Sequence, residues 1–508
     1  MVARLVSPAL VGLATATVAV EADLRPGLPG FAVVGLPDTA VQEARERVRS
    51  GIANQAFALP AKRIVVNLAP ADLRKAGPQY DLPIALAVLQ ASGQLRREAL
   101  DGTGALGELA LDGSLRPVAG VLAMAEHAAQ QRWRRLVVPA SAAAEASLVG
   151  GIEVLPAHGL REAVDLLEGR AEARVPDVDT AALLRAGAGR GGPDLADVRG
   201  QWPARRALEI AAAGGHSLLM LGPPGSGKTM LARRLPGILP PLRLEEAIAI
   251  TRIHSVAGLL PTGSALVTTR PFRAPHHTIS AAGLVGGGRL PRPGEVTLSH
   301  LGVLFLDEVP AFAPSVLDAL RQPLEEGCID VSRGMMTVRF PARTLLVCAG
   351  NPCPCGFDGD PRRTCVCPPA RADAYRARIS GPVADRIDLK VDVPRLGRED
   401  LMDGPAGEPS DAVRRRVGDA RSMRCSRGQS GPNADLARGE LRRLVPIDPA
   451  GRSLLARAID VLGLSARGHD RVLRVARTIA DLEGCEDVGA EHLAESLQYR
   501  VPARGRIG

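Results

Sequence analysis

The sequence predicts an α/β protein in three blocks. Short apolar runs alternate with helix-patterned stretches over the first 169 residues, a glycine-rich loop stands between a buried strand and a helix near the middle, and helical periodicity closes the chain. The chain has 508 residues, and domains run about 100–200 residues each, so roughly three are expected. Its 46% hydrophobic content suffices for buried cores, and with only 2% aromatics those cores must be aliphatic.

In block 1–169 the runs FAVVGLP, RIVVNLAP and RLVVPA read as strands, and 38–53 and 82–91 as helices. Arg4 followed by LVSPALVGLATATVAV has the outline of a signal peptide. Pro8 and Gly12 interrupt it, and Thr15 and Thr17 alternate with apolar residues, so it is expected as strands opening a domain. Residues 170–197, with AGAGRGGPD, read as a linker. Block 198–394 carries the strong motifs, on strands expected at 217–221, 303–306 and 344–348. Each ends where polar chemistry begins, as at the carboxyl ends of a parallel sheet. In block 395–508 the polar stretch 404–433 is expected to be a mobile connection. Helices at 450–462, 471–483 and 490–498 would form a small bundle.

The net charge of +8 suits a nucleic-acid partner and an arginine-rich solvated surface equally well. Scarce aromatics disfavour base stacking as the mode of binding. No run of 18 apolar residues is present, so no membrane span is expected. A cytoplasmic location is expected and would keep the eight cysteines reduced.

Gly222-Pro223-Pro224-Gly225-Ser226-Gly227-Lys228-Thr229 fits the phosphate-binding pattern G-x-x-x-x-G-K-[ST], with SLLML before it and MLARRL after it. Glycines let backbone N–H groups close around phosphates, and the following helix adds its positive end. Lys228 is expected on the β and γ phosphates of ATP and Thr229 on Mg²⁺. In VLFLDE an apolar strand delivers Asp307 as a second Mg²⁺ group and Glu308 as the acid that polarises the attacking water. Between these motifs PFRAPHHTISAAGLVGGG is expected as an exposed loop bearing Arg273, His276 and His277. It is read as contacting substrate or a neighbouring subunit rather than holding a metal. TLLVCAG ends at Asn351, placed to orient the water. Within RISGPVADRIDL, Arg386 is the candidate arginine finger offered to a neighbouring subunit.

Cys353, Cys355, Cys365 and Cys367 form two C-x-C pairs around GFDGDPRRT. Four thiolates suit a structural Zn²⁺, although the spacing is tighter than C-x₂-C, and four unliganded thiols are the competing reading.

Taken together, GLPDTAVQEARERVRSGI, RIVVNLAPADLRKAGPQYDLPIAL, the phosphate loop, PFRAPHHTIS, GVLFLDEV, NPCPCG, ISGPVADRIDL and SARGHDRVLRVARTIADLEG resemble the YifB/ComM family of magnesium-chelatase-like AAA+ ATPases over nearly the whole chain. The resemblance implies an N-terminal Lon-protease-like α/β domain, an AAA+ parallel-sheet core and a C-terminal helical lid. It implies that Arg471 in the lid reads the γ-phosphate, and that a hairpin over 328–343 presents Arg333 and Arg339, with Arg273, as candidate DNA contacts. It also implies hexameric homo-oligomeric rings around single-stranded or branched DNA, working beside recombination proteins in branch migration. One departure bears on activity. Lon-type proteases carry a serine after Gly-Pro and a lysine on a following helix. Here Gly77-Pro78 is followed by Gln79 and Tyr80, and the helix after Pro117 presents Leu122 and Met124. Peptide hydrolysis is therefore the weakest reading, and a chelatase-type protein-remodelling ATPase is the second reading after the DNA motor.

Overall fold

The computed structural model describes residues 2–188, 192–288, 291–333, 336–360, 362–379, 386–402 and 404–500. The signal-like opening is a β-hairpin. Strands Val2–Val11 and Ala14–Arg25 pair antiparallel from Val2 opposite Asp23 to Val11 opposite Ala14. Gly12 takes φ +64 at the turn, which a side chain would resist. The hairpin belongs to a seven-stranded mixed sheet that also contains the three runs read as strands, now Gly30–Val34, Arg63–Ala69 and Arg135–Pro139. Helix Thr39–Asn54 is capped by Asp38, whose carboxylate accepts from the Val41 amide at 2.9 Å, and buries Val41, Ala44, Val48 and Ile52. It packs with the almost wholly buried helix Asp81–Ala91 over one aliphatic core. Helix Val121–Gln130 closes a second.

The central sheet has five strands, all parallel, in the spatial order Phe272–Arg273, Val303–Leu306, Leu345–Gly350, Leu218–Leu221, Leu389–Asp392. Register brings the chemistry together: Leu221 lies beside Gly350, and Leu306 beside Cys348, so the residues after these strands emerge together at the carboxyl end of the sheet. The edge strand corrects one expectation. Arg273 is not on an exposed loop but pairs beside Leu304, because the Val303 amide donates to the Pro271 carbonyl at 2.8 Å and seats the segment against the sheet. The hairpin expected over 328–343 is present as Cys328–Arg333 and Met336–Pro341. Its base packs against Leu13, in the N-terminal hairpin turn, through Ile329, Val338 and Phe340.

Two polar stretches are more ordered than their composition predicts. Thr180–Ala188 is helical within the stretch read as a linker. The expected mobile connection contains the 17-residue helix Ser410–Ser426. Only Val413, Val417 and Ala420 are apolar and buried there, at helical spacing, against helix Trp202–Gly214. The surrounding arginines masked that narrow stripe in the sequence. Beyond it, helices Pro449–Leu462, Ala466–Leu482 and Ala490–Gln498 form the small bundle, with a core of Leu455, Val472, Leu473, Ala476 and Leu493. The middle helix begins before the 471 expected for it because Ser465 caps it, accepting from the Gly468 amide at 3.1 Å. Among the described residues, no helix is long and apolar enough to cross a membrane.

Candidate nucleotide site

The loop after strand Leu218–Leu221 closes tightly because its glycines allow it. Gly225 and Gly227 take φ +76 and +96, and a Cβ on Gly222 would lie 2.2 Å from the Val393 carbonyl oxygen. Gly227 then starts helix Lys228–Ala232. Lys228 is 8% exposed and bends back over the loop. Its Nζ donates to the carbonyls of Gly222 at 2.7 Å and Pro223 at 3.0 Å, and to Asn351 Oδ1 at 3.4 Å. Burial lowers its pKa, against the opposing charges of Asp307 and Glu308. The Ser226 hydroxyl is buried and has no hydrogen-bond partner. A lysine resting on backbone carbonyls, an orphaned hydroxyl and a loop too close for side chains fit a polyphosphate group.

Thr229 Oγ1 donates to Asp307 Oδ2 at 2.7 Å. A hydroxyl and a carboxylate in contact are the oxygen donors that Mg²⁺ takes beside a nucleotide. Asp307 Oδ1 accepts from the Glu308 amide at 3.0 Å. Glu308 itself sits at φ +53, unusual for a residue with a side chain, and its carboxylate is largely exposed. His277 Nδ1 lies 4.0 Å from that carboxylate, and its ring stacks on His276 with centroids 4.1 Å apart. The structure thus gathers Lys228, Thr229, Asp307, Glu308 and Asn351 at the carboxyl end of the sheet.

The two arginines predicted to sense phosphate are held elsewhere. Arg386 is ion-paired with Glu325 within its own chain. Residues 380–385 of its motif lie outside the described residues. Arg471 Nε is 3.2 Å from Asp388 Oδ1. Burial would raise the Asp388 carboxyl, but a hydrogen bond and charge from His216, with the charges of Arg471 and Arg474, bring it below the usual carboxylate range. Arg273 is bound by Glu295 through two bonds of 2.6 and 2.7 Å, so a DNA contact there would require giving up that grip. Arg339 stands exposed on the hairpin, bonded to Cys328 Sγ at 2.8 Å and 3.7 Å from Asp330. Arg333 lies at the end of the opposite strand.

Two contributors escaped the sequence reading. Gln201 takes φ +54, and its side-chain amide donates to the carbonyls of Ser226 at 3.3 Å and Pro394 at 2.6 Å, fixing the phosphate loop to the last strand. Arg395 donates to the Pro224 carbonyl at 3.2 Å. Neither belongs to a recognisable motif.

The sulfurs of Cys353, Cys355, Cys365 and Cys367 lie within 4.8 Å of one another. The sulfurs of Cys353, Cys355 and Cys365 stand 3.3 to 3.6 Å apart, against about 3.8 Å between ligands of a tetrahedral zinc–thiolate site. Backbone amides of Cys355 and Asp358 donate to Cys367 and Cys353 sulfurs, each at 3.3 Å. The donor set therefore fits a structural Zn²⁺ with no open position. A second grouping, Glu483, Cys485 and His492, fits less well. His492 Nδ1 already accepts from the Gly489 amide at 2.8 Å and Nε2 faces Glu483 at 3.1 Å, so both ring nitrogens are engaged.

The chain is similar to several known proteins along its length. Family profiles described as magnesium chelatase subunit ChlI match residues 20–142 and 194–401, and one for the C-terminal part of that subunit matches 407–500. The chain is 45% identical to competence protein ComM of Haemophilus influenzae over 502 residues, 98% of this chain and 97% of that protein. It is 43% identical to the protein YifB of Escherichia coli over 496 residues, 97% of this chain and 96% of that one. Similarity to the magnesium-chelatase 38 kDa subunit of Rhodobacter capsulatus is 26% over 312 residues, 58% of this chain and 82% of that subunit.

Proposed function

Since the chain belongs to the YifB/ComM family of magnesium-chelatase-like AAA+ ATPases, we propose that it is an ATP-hydrolysing ring motor acting on DNA, a helicase that promotes branch migration. The observation that carries the ATPase half is the convergence of Lys228, Thr229, Asp307, Glu308 and Asn351 at the carboxyl end of the sheet, beside a loop with an orphaned Ser226 hydroxyl. ATP would supply the phosphoryl group and Mg²⁺ the charge that neutralises it. Lys228 exchanges its carbonyl partners for phosphate oxygens, and the 222–227 amides wrap the chain of phosphates. Thr229 and Asp307 hold the metal. Glu308, exposed at the end of its strand, accepts a proton from water while Asn351 orients it. Arg386 released from Glu325 would complete a neighbour's site, and Arg471 released from Asp388 would report on its own, so that closure and hydrolysis move subunits of a hexamer. The four cysteines would hold a structural zinc.

The DNA half is supported by the likeness to ComM, a competence protein by name, by the net charge of +8, and by the exposed Arg339 on a projecting hairpin. The N-terminal block favours this over a protease. The Gln79 side-chain amide is turned onto the Ala76 carbonyl at 2.8 Å, Leu122 and Met124 are packed in apolar core, and the buried Lys75 is bonded to the Pro70 carbonyl. A chelatase-type remodelling ATPase is the second reading, on the partial match to the 38 kDa subunit. The deciding experiment measures ATP turnover with single-stranded, duplex and branched DNA as salt is raised. Stimulation that fades steeply with salt is expected. Turnover indifferent to every DNA at low salt would remove the DNA motor.

A further inference from the structure

The loop that carries the four cysteines lies against the phosphate loop. Gly356, directly after Cys355, takes φ +84, and a Cβ there would stand 2.5 Å from Pro224 Cδ and 2.9 Å from its Cγ. Arg395 reaches both parts. It donates to the Pro224 carbonyl at 3.2 Å, its Nε lies 3.2 Å from Oδ2 of Asp360, whose side chain is 0% exposed, and its guanidinium sits 5.4 Å from the Phe357 ring centre. The loop also starts at the catalytic edge, since Asn351, which accepts from Lys228, precedes Cys353 by two residues. The cysteine loop therefore touches both ends of the nucleotide site.

Besides these polar contacts, little apolar burial holds it in shape. Among the described residues of 353–367, the only apolar side chain that is buried is Cys353, and no helix or strand forms. Val366, its exposed apolar residue, is 82% open. A loop with so little apolar burial cannot offset the entropy of its own ordering. Metal bound by four thiolates supplies that free energy directly, because metal affinity becomes folding free energy. We propose that the metal-loaded cysteine loop is a strut for the phosphate loop: zinc fixes Gly356 and Asp360, these position Pro224 through direct contact and through Arg395, and nucleotide affinity therefore depends on the metal. Gly356, Asp360 and Arg395 are in this sense positioning residues. The inference rests on the nucleotide-site reading above and adds to it a structural dependence on thiolate-bound zinc.

The test uses the full-length protein, with zinc content read by atomic spectroscopy and affinity by a fluorescent ATP analogue. Wild-type protein is expected to hold about one zinc per chain. Removing it with a thiol reagent and chelator, then restoring the thiols by reduction, should weaken nucleotide binding by about tenfold, and added Zn²⁺ should restore it. Because stripped protein could lose more than the strut, a second variant keeps the cysteines. Asp360→Asn retains the Oδ1 that accepts from the Arg362 and Arg363 amides but removes the charge facing Arg395. It should keep its zinc and still bind nucleotide several-fold more weakly. Unchanged affinity in stripped protein, unchanged affinity in zinc-loaded Asp360→Asn, or wild-type protein that takes up no zinc would each overturn the strut. Zinc-loaded wild type that binds no nucleotide at all would instead overturn the nucleotide site itself, and the strut with it. Lys228→Ala separates the two, since it should keep zinc while losing nucleotide.

Discussion

Arg471 on the C-terminal bundle and Asp388 at the start of the last core strand form an ion pair of 3.2 Å across 83 residues of sequence. Asp388 also lies 3.4 Å from buried His216, whose Nε2 is 2.7 Å from the Thr478 hydroxyl on the same helix as Arg471. One carboxylate thus joins the central sheet to the helical bundle, and an arginine expected on ATP is committed to it.

Asp388→Ala should destabilise the protein by about 3 kcal/mol, because it removes the carboxylate that Arg471, His216 and Ser217 share between the sheet and the bundle. Chemical denaturation checks this. Arg471→Ala should cost less stability and should slow ATP turnover more than it weakens ATP binding. Equal turnover in that variant would reduce Arg471 to its tie with Asp388.

Glu308→Gln should bind ATP and turn it over at least about a hundredfold more slowly, since a general base of this kind contributes about 10²–10⁴. Lys228→Ala should lose binding itself. Nucleotide titration beside a phosphate-release assay separates the two defects. Full turnover by Glu308→Gln would place water activation elsewhere.

Arg386→Ala alone should be inactive, yet mixing it with Lys228→Ala should restore part of the activity. One subunit then brings an intact phosphate loop and the other an intact arginine. No recovery at any mixing ratio would mean Arg386 acts inside its own chain, where Glu325 already holds it.

His300 is buried, accepts from the Arg343 amide at 3.1 Å through Nδ1, and has its pKa lowered to about 4 by burial and by the charges of Arg343 and Arg252. An unfolded histidine titrates at about 6.5. The folded state therefore binds this proton less well, so the stability His300 contributes is complete above about pH 6.5 and declines as pH falls towards about 4. Asn in its place keeps an acceptor for Arg343 and cannot titrate. Thermal melts should show His300→Asn losing less stability than wild type over that interval, and parallel curves would contradict the assignment.

Arg339→Ala should weaken DNA binding evenly across sequences and reduce the slope of log affinity against log salt by about 1, the signature of one lost phosphate contact. Fluorescence anisotropy over a salt series measures this. An unchanged slope would take Arg339 off the DNA.

The phosphate loop and the Asp307–Glu308 pair were legible because each is contiguous. Strand, loop and helix chemistry are written in consecutive residues, and local backbone rules suffice to read them. The cysteine pairs were legible for the same reason. Strands and most helices followed from apolar periodicity, and the arginine-rich helix Ser410–Ser426 did not, because three buried residues make too narrow a stripe to stand out from its charges. What only the tertiary structure decided is which distant groups meet. Arg273 went to Glu295, Arg386 to Glu325 and Arg471 to Asp388, and Arg395 reached back to Pro224. A guanidinium's partner is set by which carboxylates and carbonyls the folded chain brings within about 3 Å, and that distance depends on packing between elements far apart in sequence.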